Sequence, residues 1–182
     1  MSGGNWRQAG LDDIDALVAL IQSAYRGDSS KAGWTTEAHL LSGQRIDAAM
    51  LADQIADDTQ VLLMQEDEAG PLACVAVERR DGYGYIGTVT VRPAAQGGGL
   101  GRAALEVAEA YIASDWGYDR ARMTVIAQRP ELIAWYERRG YRNTGETAPF
   151  PYNNERFGAP VRDDLYFVVL EKALDQAAKA QV

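Results

Sequence analysis

Hydrophobic positions in the N-terminal third of the chain follow a helical period that is interrupted once. In LDDIDALVALIQSAY, apolar residues recur at three- and four-residue spacings and predict a helix over residues 11–25, after a short strand over residues 6–9. A second helix is predicted over residues 46–57, with Asp47 as a candidate N-cap. The intervening residues 26–45 lose the period. They have two interpretations, the lining of a substrate pocket or a packed helix connection.

The remainder of the chain shows strands and then alternating helices and strands. Three apolar runs, TQVLLMQ, PLACVAVERR and YGYIGTVTV, are separated by short polar turns, which favour antiparallel neighbours. A glycine-rich segment then leads into a helix over residues 100–114, a strand ARMTVIA, a helix starting at Pro130 and a last strand DLYFVVLEK. This order predicts a mixed α/β (α+β) fold in one domain over residues 1–182, with its core over residues 5–171 and a frayed tail over residues 172–182.

Composition and charge argue against several classes of protein. The chain has 47% hydrophobic residues and no run near the roughly 18 apolar residues of a membrane helix, so a soluble protein is expected. The N-terminus lacks the basic and apolar regions of a secretory leader, which predicts a cytoplasmic location. The net charge of −8 argues against a nucleic-acid surface and mildly favours cationic small molecules as ligands.

Single copies of cysteine and histidine limit the chemistry further. Cys74, the only cysteine, lies in the apolar run LACVAV, so the sequence favours a buried packing thiol over a nucleophile. His39 is the only histidine, which leaves no spacing that is typical of a zinc site. We therefore predict no metal cofactor.

The segment VRPAAQGGGLGR, between a strand and a helix, is typical of an anion-binding turn. A P-loop is excluded because Gly101 is followed by Arg102 and Ala103 rather than by Lys and then Ser or Thr. A dinucleotide fingerprint is disfavoured because the preceding strands are predicted to be antiparallel, whereas that fold begins with a parallel unit. Two interpretations are left: a helix entry without a ligand, and a pyrophosphate site built from free amides at a helix N-terminus.

The same segment, V-x-P followed by Gln96-x-x-Gly99-x-Gly101, resembles the acyl-CoA-binding motif of the GNAT superfamily of N-acetyltransferases. The stretch IAWYERRGY is similar to the tyrosine-bearing helix of that family, and the order of elements agrees over most of the chain. The resemblance implies a mostly antiparallel sheet of six to seven strands, helices on both faces and a splayed strand pair forming the CoA slot. It also implies acetyl-CoA as co-substrate and acetyl transfer to a primary amine through a tetrahedral intermediate.

The resemblance further assigns residues that bind the co-substrate and one catalytic acid. The residues expected to surround the pantetheine arm and the pyrophosphate are Val89, Val91, Gln96, Gly97, Gly98, Gly99, Gly101 and Arg102. An amide near Val91 is the expected oxyanion donor. Tyr136 corresponds to the family's tyrosine near the CoA sulfur, and its alternative role is that of a half-buried aromatic. The chain departs from the family before Pro130, where an asparagine is frequent and Gln128 and Arg129 stand instead.

Candidates for the general base and for the acceptor site follow from position along the chain. Glu78 precedes the cofactor strand and Glu37 lies within residues 26–45, and each is a candidate base or a structural carboxylate. Trp34 in the same segment and Tyr152 in the long connection before the last strand are candidate substrate contacts.

The acceptor and the oligomeric state stay open at the level of sequence. The predicted partner is a small-molecule or peptide amine, without nucleic acid or membrane, and a homodimer is compatible with the pattern. The long connection over residues 145–164, which includes Phe150 and Phe157, has three interpretations: an acceptor wall, a dimer contact or surface cover. Two other function classes are a CoA-binding regulatory module without turnover and a purely structural interaction protein.

Overall fold

Helices and strands alternate along the computed structural model, which describes residues 5–31, 33–154, 156 and 158–175. The helices are α1 (Ile14–Tyr25), α2 (Gly27–Ser30), α3 (Ala48–Ala56), α4 (Leu100–Ser114) and α5 (Pro130–Glu137). The strands are β1 (Arg7–Gln8), β2 (Leu41–Ser42), β3 (Gln60–Asp67), β4 (Gly70–Arg80), β5 (Tyr83–Val91), β6 (Arg120–Ile126), β7 (Arg142–Pro149), β8 (Ala159–Pro160) and β9 (Tyr166–Ala173). Within these ranges, no helix has the length and apolar character that crossing a membrane requires.

One sheet organises the fold. Within the described residues, seven strands pair in the order β1-β3-β4-β5-β6-β9-β7, and β2 pairs with β8 separately. Neighbouring strands are antiparallel except β5 and β6, which are parallel. The predicted fold class, a mixed and mostly antiparallel sheet of six to seven strands, is confirmed.

Helices cover both faces of this sheet because side chains alternate between the faces along each strand. On one face, α1 and α3 pack against a core that includes Leu17, Ile21, Leu51, Leu62, Met64 and Cys74. On the other face, α4 and α5 pack against a core that includes Val75, Val77, Ile86, Leu105, Ala108, Ile112 and Leu132. Cys74 is a buried packing thiol, as predicted, and burial raises its pKa to about 12.

The parallel pair at the centre of the sheet separates after two residues. β5 and β6 pair at Gly84 with Ala121 and at Tyr85 with Arg122. Further along β5, the register against β4 shifts by one residue, and Thr88 has a φ of +52°. Such a bulge bends a strand and increases its local twist. The second half of β5 thereby leaves β6, and an opening forms between them.

The C-terminal third departs from the sequence prediction in two places. β7 pairs with β9, whereas the sequence assigned residues 145–149 to the long connection; almost every residue of β7 is exposed, so no apolar alternation marked it. β2 pairs with β8, which joins the irregular segment after α1 to the long connection. β9 extends to Ala173, inside the predicted tail. Residues 176–182 and Phe157 lie outside the described residues.

Candidate active site

A cavity of about 340 Å³ opens where β5 and β6 separate. Its walls come from the two strands, the segment after α1, α5 and the start of the long connection. The polar side chains of the lining are those of Tyr25, Arg26, Glu37, Arg45, Tyr85, Thr88, Thr124, Arg129 and Tyr136.

Two side chains bind the carbonyls of β5 that face away from β4. The Tyr25 hydroxyl donates to the Val89 carbonyl across 2.5 Å, and the Gln96 side-chain amide donates to the Val91 carbonyl across 3.0 Å. Because the N–H and C=O of one strand residue point to the same side, the amides of Val89 and Val91 also point away from β4. Burial raises the pKa of Tyr25 to about 12, so its hydroxyl stays protonated at neutral pH.

Tyr136 is a buried aromatic residue of α5 that also lines the cavity. Its ring meets Trp135 and Tyr141 edge-on, with centroids 5.1 Å and 5.9 Å away. Among the described residues, none donates a hydrogen bond to its hydroxyl or accepts one from it. Burial raises the pKa of Tyr136 well above the usual range of a phenol. Tyr136 is therefore a proton-bearing donor beside the opening.

Glu37 is a buried carboxylate surrounded by three arginine side chains. One of its oxygens pairs with Arg26 Nη1 and lies 3.9 Å from Arg45 Nε, and the other lies 3.8 Å from Arg129 Nη1. Burial lowers the pKa of Arg26 while the Glu37 carboxylate opposes that effect. A guanidinium group nonetheless keeps its charge in proteins. Glu37 thus stabilises buried cations in the cavity wall.

The turn after β5 presents a run of free backbone donors. In the described part of the chain, none of the six amides from Gly97 to Arg102 donates a hydrogen bond to a protein atom, and the first bond of α4 runs from Ala103 to the Gly99 carbonyl. Gly97 and Gly99 have φ angles of +90° and +85°, which favour glycine. The Arg102 side chain extends into solvent and pairs with Glu106. Consecutive free amides at a helix N-terminus form an anion-binding surface.

Gly101 allows two indole rings to pack against the first turn of α4. Trp34 and Trp135 stack with centroids 4.6 Å apart and an angle of 24° between their planes. A Cβ atom at Gly101 would lie 2.9 Å from the Trp34 ring and 3.2 Å from the Trp135 ring. The missing side chain is therefore a packing requirement at this position.

Gln96 and Arg129 hold Trp34 in this place. The Gln96 side chain accepts a hydrogen bond from the Trp34 amide at 2.7 Å and donates to the Thr35 hydroxyl at 3.2 Å. Arg129 donates to the Trp34 carbonyl at 2.8 Å. The backbone amide of Gln96 donates to Pro93 within its own turn. Trp34, a predicted substrate contact, therefore lies beside α4 and α5 and is not among the residues that line the cavity.

Two more predicted site residues lie outside the cavity lining. Glu78 forms a two-point pair with Arg80, with both contacts at 3.0 Å. The Tyr152 hydroxyl accepts a hydrogen bond from the Leu165 amide at 2.6 Å, and its ring packs on Phe150. Phe150 itself lines the cavity. The beginning of the long connection is thus a wall of the cavity.

A comparison of the sequence with known protein families agrees with this geometry. Residues 16–141 match the model of the acetyltransferase (GNAT) family. The chain belongs to the GNAT family. Its curated relatives include mycothiol acetyltransferases from Salinispora tropica and Salinispora arenicola, which are 31% and 32% identical to it over 138 residues. The match covers 72% of this chain and 42% of each relative, so the chain spans less than half the length of these relatives.

Solved GNAT structures share the fold at low sequence identity. The ribosomal-protein-S18-alanine N-acetyltransferase from Escherichia coli has a TM-score of 0.68 at 14% identity, over 98% of this chain and 99% of that one. A variant of the spermidine N-acetyltransferase SpeG from Vibrio cholerae has a TM-score of 0.68 at 13% identity, over 95% of both chains. At these identities the likeness establishes the fold alone.

The residues of this GNAT chain fit acetyl-CoA, the co-substrate of the family. Free amides between Gly97 and Arg102 suit a pyrophosphate, which needs several donors close together. The outward-facing amides of Val89 and Val91 suit an extended polar arm, as an added strand would. Within the described ranges, no three His, Cys, Asp or Glu side chains are grouped as metal ligands would be.

The sequence pattern indicated no functional role for four residues that line the cavity, namely Tyr25, Arg26, Arg45 and Arg129. Tyr25 belongs to the apolar stripe of α1, which suggests helix packing, and Arg26 is the first residue of the irregular segment after it. Arg45 lies at the end of the irregular segment, where no period indicates a direction. In the sequence, Arg129 stands out only because the family frequently has an asparagine just before Pro130. Their convergence depends on the crossing of α1 and β5, which a local pattern does not encode.

Proposed function

We propose that this chain transfers an acetyl group from acetyl-CoA to a primary amine by direct attack in the cavity between β5 and β6. The observation that carries the proposal is that the turn with free amides lies close to the cavity along the chain. A run of free amides, Gly97 to Arg102, comes one short turn after the strand whose separation from β6 opens the cavity. The strand β5 therefore leads from the cavity, where the thioester would lie, to the turn that would bind the pyrophosphate.

The strand and the turn supply the binding groups in this proposal. Amides of Gly97, Gly98, Gly99 and Gly101 bind the pyrophosphate with the dipole of α4, and Arg102 adds a positive charge at the rim. Gln96 acts indirectly, because its side chain joins the end of β5 to the segment that carries Trp34.

The reaction needs two proton transfers and stabilisation of one oxyanion. When bound, the co-substrate supplies an activated acetyl group as a thioester. Transfer forms a C–N bond and breaks the C–S bond, so one proton leaves the amine and one reaches the sulfur. A free amide of Val89 or Val91 is the oxyanion donor, and such an aimed donor is worth about 2.7–4 kcal/mol. Tyr136, held in its protonated form by burial, is the acid.

Direct transfer is supported by the position of the thiol. Cys74, the only cysteine, is fully buried in the core between α1, α3 and the sheet and does not line the cavity. Burial raises its pKa to about 12, which disfavours the nucleophilic thiolate. A covalent acetyl-cysteine on this chain is therefore not part of the proposal.

The two predicted bases differ in how the structure supports them. Glu37 lines the cavity, but its oxygens are committed to guanidinium groups. Glu78 is paired with Arg80 away from the lining. We propose that Glu37 positions the arginines, and the role of either carboxylate as base stays a prediction.

Thermal unfolding tests the binding half of this proposal. We expect acetyl-CoA and CoA at millimolar concentration to raise the melting temperature while NAD leaves it unchanged. A ligand at about 100 times its Kd stabilises a protein by about 2.7 kcal/mol. If neither CoA compound raises the melting temperature, the proposal is rejected.

A transfer assay tests the catalytic half. Release of free CoA is followed with a panel of primary amines, and mass spectrometry identifies the acetylated product. Tyr136→Phe is the matched variant, because it removes only the hydroxyl. Saturable CoA binding without acetylation of any amine would instead identify a CoA-binding module.

A further inference from the structure

The charge of the cavity is opposite to the charge of the chain. The protein has a net charge of −8. The charged side chains in the cavity lining are Arg26, Arg45, Arg129 and Glu37, three cations and one anion. A cavity of one sign with low-dielectric walls concentrates ligands of the opposite sign. The excess of cations in this lining therefore favours a ligand that also carries an anionic group.

Arg45 has hydrogen-bonding capacity that the protein leaves unused. Its guanidinium lies over the Tyr25 ring, 5.1 Å from the centroid, and its Nε is 3.9 Å from Glu37. Within the described part of the chain, its side chain makes no hydrogen bond, and its Nε is shielded from solvent. The Arg45 guanidinium is thus held in the cavity wall by the Tyr25 ring and the more distant Glu37 carboxylate. Its terminal nitrogens make no hydrogen bond to the described residues.

Arg129 adds a second, more deeply buried cation. Its side chain is 2% exposed, and its two terminal nitrogens donate to the carbonyls of Trp34 and Thr35. Its Nε is buried without a hydrogen bond, at 3.7 Å from Glu131. A buried guanidinium is costly unless anions compensate it, and the single Glu37 carboxylate lies within 4 Å of Arg26, Arg45 and Arg129.

The rest of the lining is apolar and of limited size. Its hydrophobic side chains near the long connection are those of Leu41, Ile126, Phe150, Pro151 and Phe167. A volume of about 340 Å³ suits a small molecule with an apolar body.

We infer that the acceptor amine carries a carboxylate, which Arg45 binds next to the buried charge of Arg129, and a small apolar body that packs against Phe150 and its neighbours. This inference rests on the proposed function and names the class of its acceptor, an α-amino acid with an apolar side chain. The planar guanidinium fork matches a carboxylate. A polyamine, the substrate type named for the spermidine enzymes of the same fold, would bring further cations to a wall that already has three.

The test compares amines that differ only by the carboxylate. The pairs are L-phenylalanine with 2-phenylethylamine and L-leucine with 3-methylbutylamine, with spermidine as the polycation. We expect kcat/KM for each amino acid to exceed that of its partner amine by at least about tenfold, the value of one hydrogen bond between charged groups. Equal or better use of the amines that lack the carboxylate, or of spermidine, overturns the inference while leaving acetyl transfer intact.

Arg45→Gln identifies the recognising group. We expect this variant to raise KM for the amino acids by about tenfold and thereby to remove their advantage in kcat/KM over the amines that lack the carboxylate. Arg120→Gln is the control, since Arg120 is a half-exposed arginine beside Asp119, outside the cavity lining. A wild-type preference that survives Arg45→Gln unchanged removes Arg45 from the inference.

A binding measurement separates the inference from the proposed function. Calorimetric titration of CoA-saturated protein with L-phenylalanine and with 2-phenylethylamine reports recognition without turnover. If no amine is acetylated but the amino acid binds selectively and the Arg45→Gln variant loses that selectivity, the inference stands and the transferase proposal fails. If neither compound binds while another amine of the panel is acetylated, the inference fails and the transferase proposal stands.

Discussion

The hydroxyl of Tyr25 donates a hydrogen bond to the carbonyl of Val89, and this contact joins the end of α1 to β5 just after its bulge. Both groups are buried. The same carbonyl faces the opening between β5 and β6, so the contact fixes the first helix to the strand that borders the cavity.

Removing the Tyr25 hydroxyl tests how β5 is held and changes how the free energy of unfolding depends on alkaline pH. Burial raises the pKa of Tyr25 from 10.0 to about 12, so between these values the unfolded chain loses a proton that the folded chain keeps. Stability is therefore fully present below pH 10 and falls as the pH rises toward 12, by about 3 kcal/mol from this residue. We expect Tyr25→Phe to reduce this loss, measured by urea unfolding at pH 9 to 11. An unchanged slope would show that Tyr25 does not contribute.

Tyr136→Phe is expected to reduce turnover far more than binding. Because the hydroxyl is a protonated donor without a partner among the described residues, its loss removes the acid and leaves the packing of the ring intact. We expect kcat to fall about 10²- to 10⁴-fold, with the Kd of acetyl-CoA nearly constant. Tyr111→Phe serves as the control, because its hydroxyl bonds to Gln8 outside the cavity. Full turnover in the Tyr136 variant would reject the assignment.

Gly99→Ala is expected to weaken both the fold and the binding of acetyl-CoA. Gly99 has a φ of +85°, and alanine in this conformation costs about 1–2 kcal/mol. We expect the Kd of acetyl-CoA to rise about tenfold as the run of amides is disturbed. Gly82→Ala is the matched control, since Gly82 has a φ of +79° and open space around it in the turn between β4 and β5. Equal effects of both variants on the Kd would contradict a pyrophosphate site at Gly99.

Glu37→Gln distinguishes a positioning carboxylate from a base. Removing the charge leaves buried arginines uncompensated, and we expect a loss of about 3–5 kcal/mol in urea unfolding. Glu78→Gln, which breaks a more exposed pair with Arg80, should cost at most about 1 kcal/mol. If Glu37 were also the base, the variant would in addition lose the acidic limb of the pH–rate profile, which a positioning role leaves in place.

Much of the fold follows from local pattern. α4 spans Leu100–Ser114 and β5 spans Tyr83–Val91, as predicted, because their apolar periods are long and their ends are marked by glycine or by polar residues. Asp47 caps α3 through a hydrogen bond to the Met50 amide. β7 was missed because both of its faces are largely exposed, and its pairing with β9 is a long-range contact.

The sequence by itself determined the family, the order of the main elements and the turn with free amides, because glycine spacing and hydrophobic period are local properties of the chain. Only the tertiary structure decided which charged residues share the cavity. Arg26, Glu37 and Arg45 belong to the irregular segment of residues 26–45, whereas Arg129 is distant in sequence and reaches Glu37 because α5 begins beside Thr35. A net charge summed over the chain does not reveal such a cluster, since the sum carries no position.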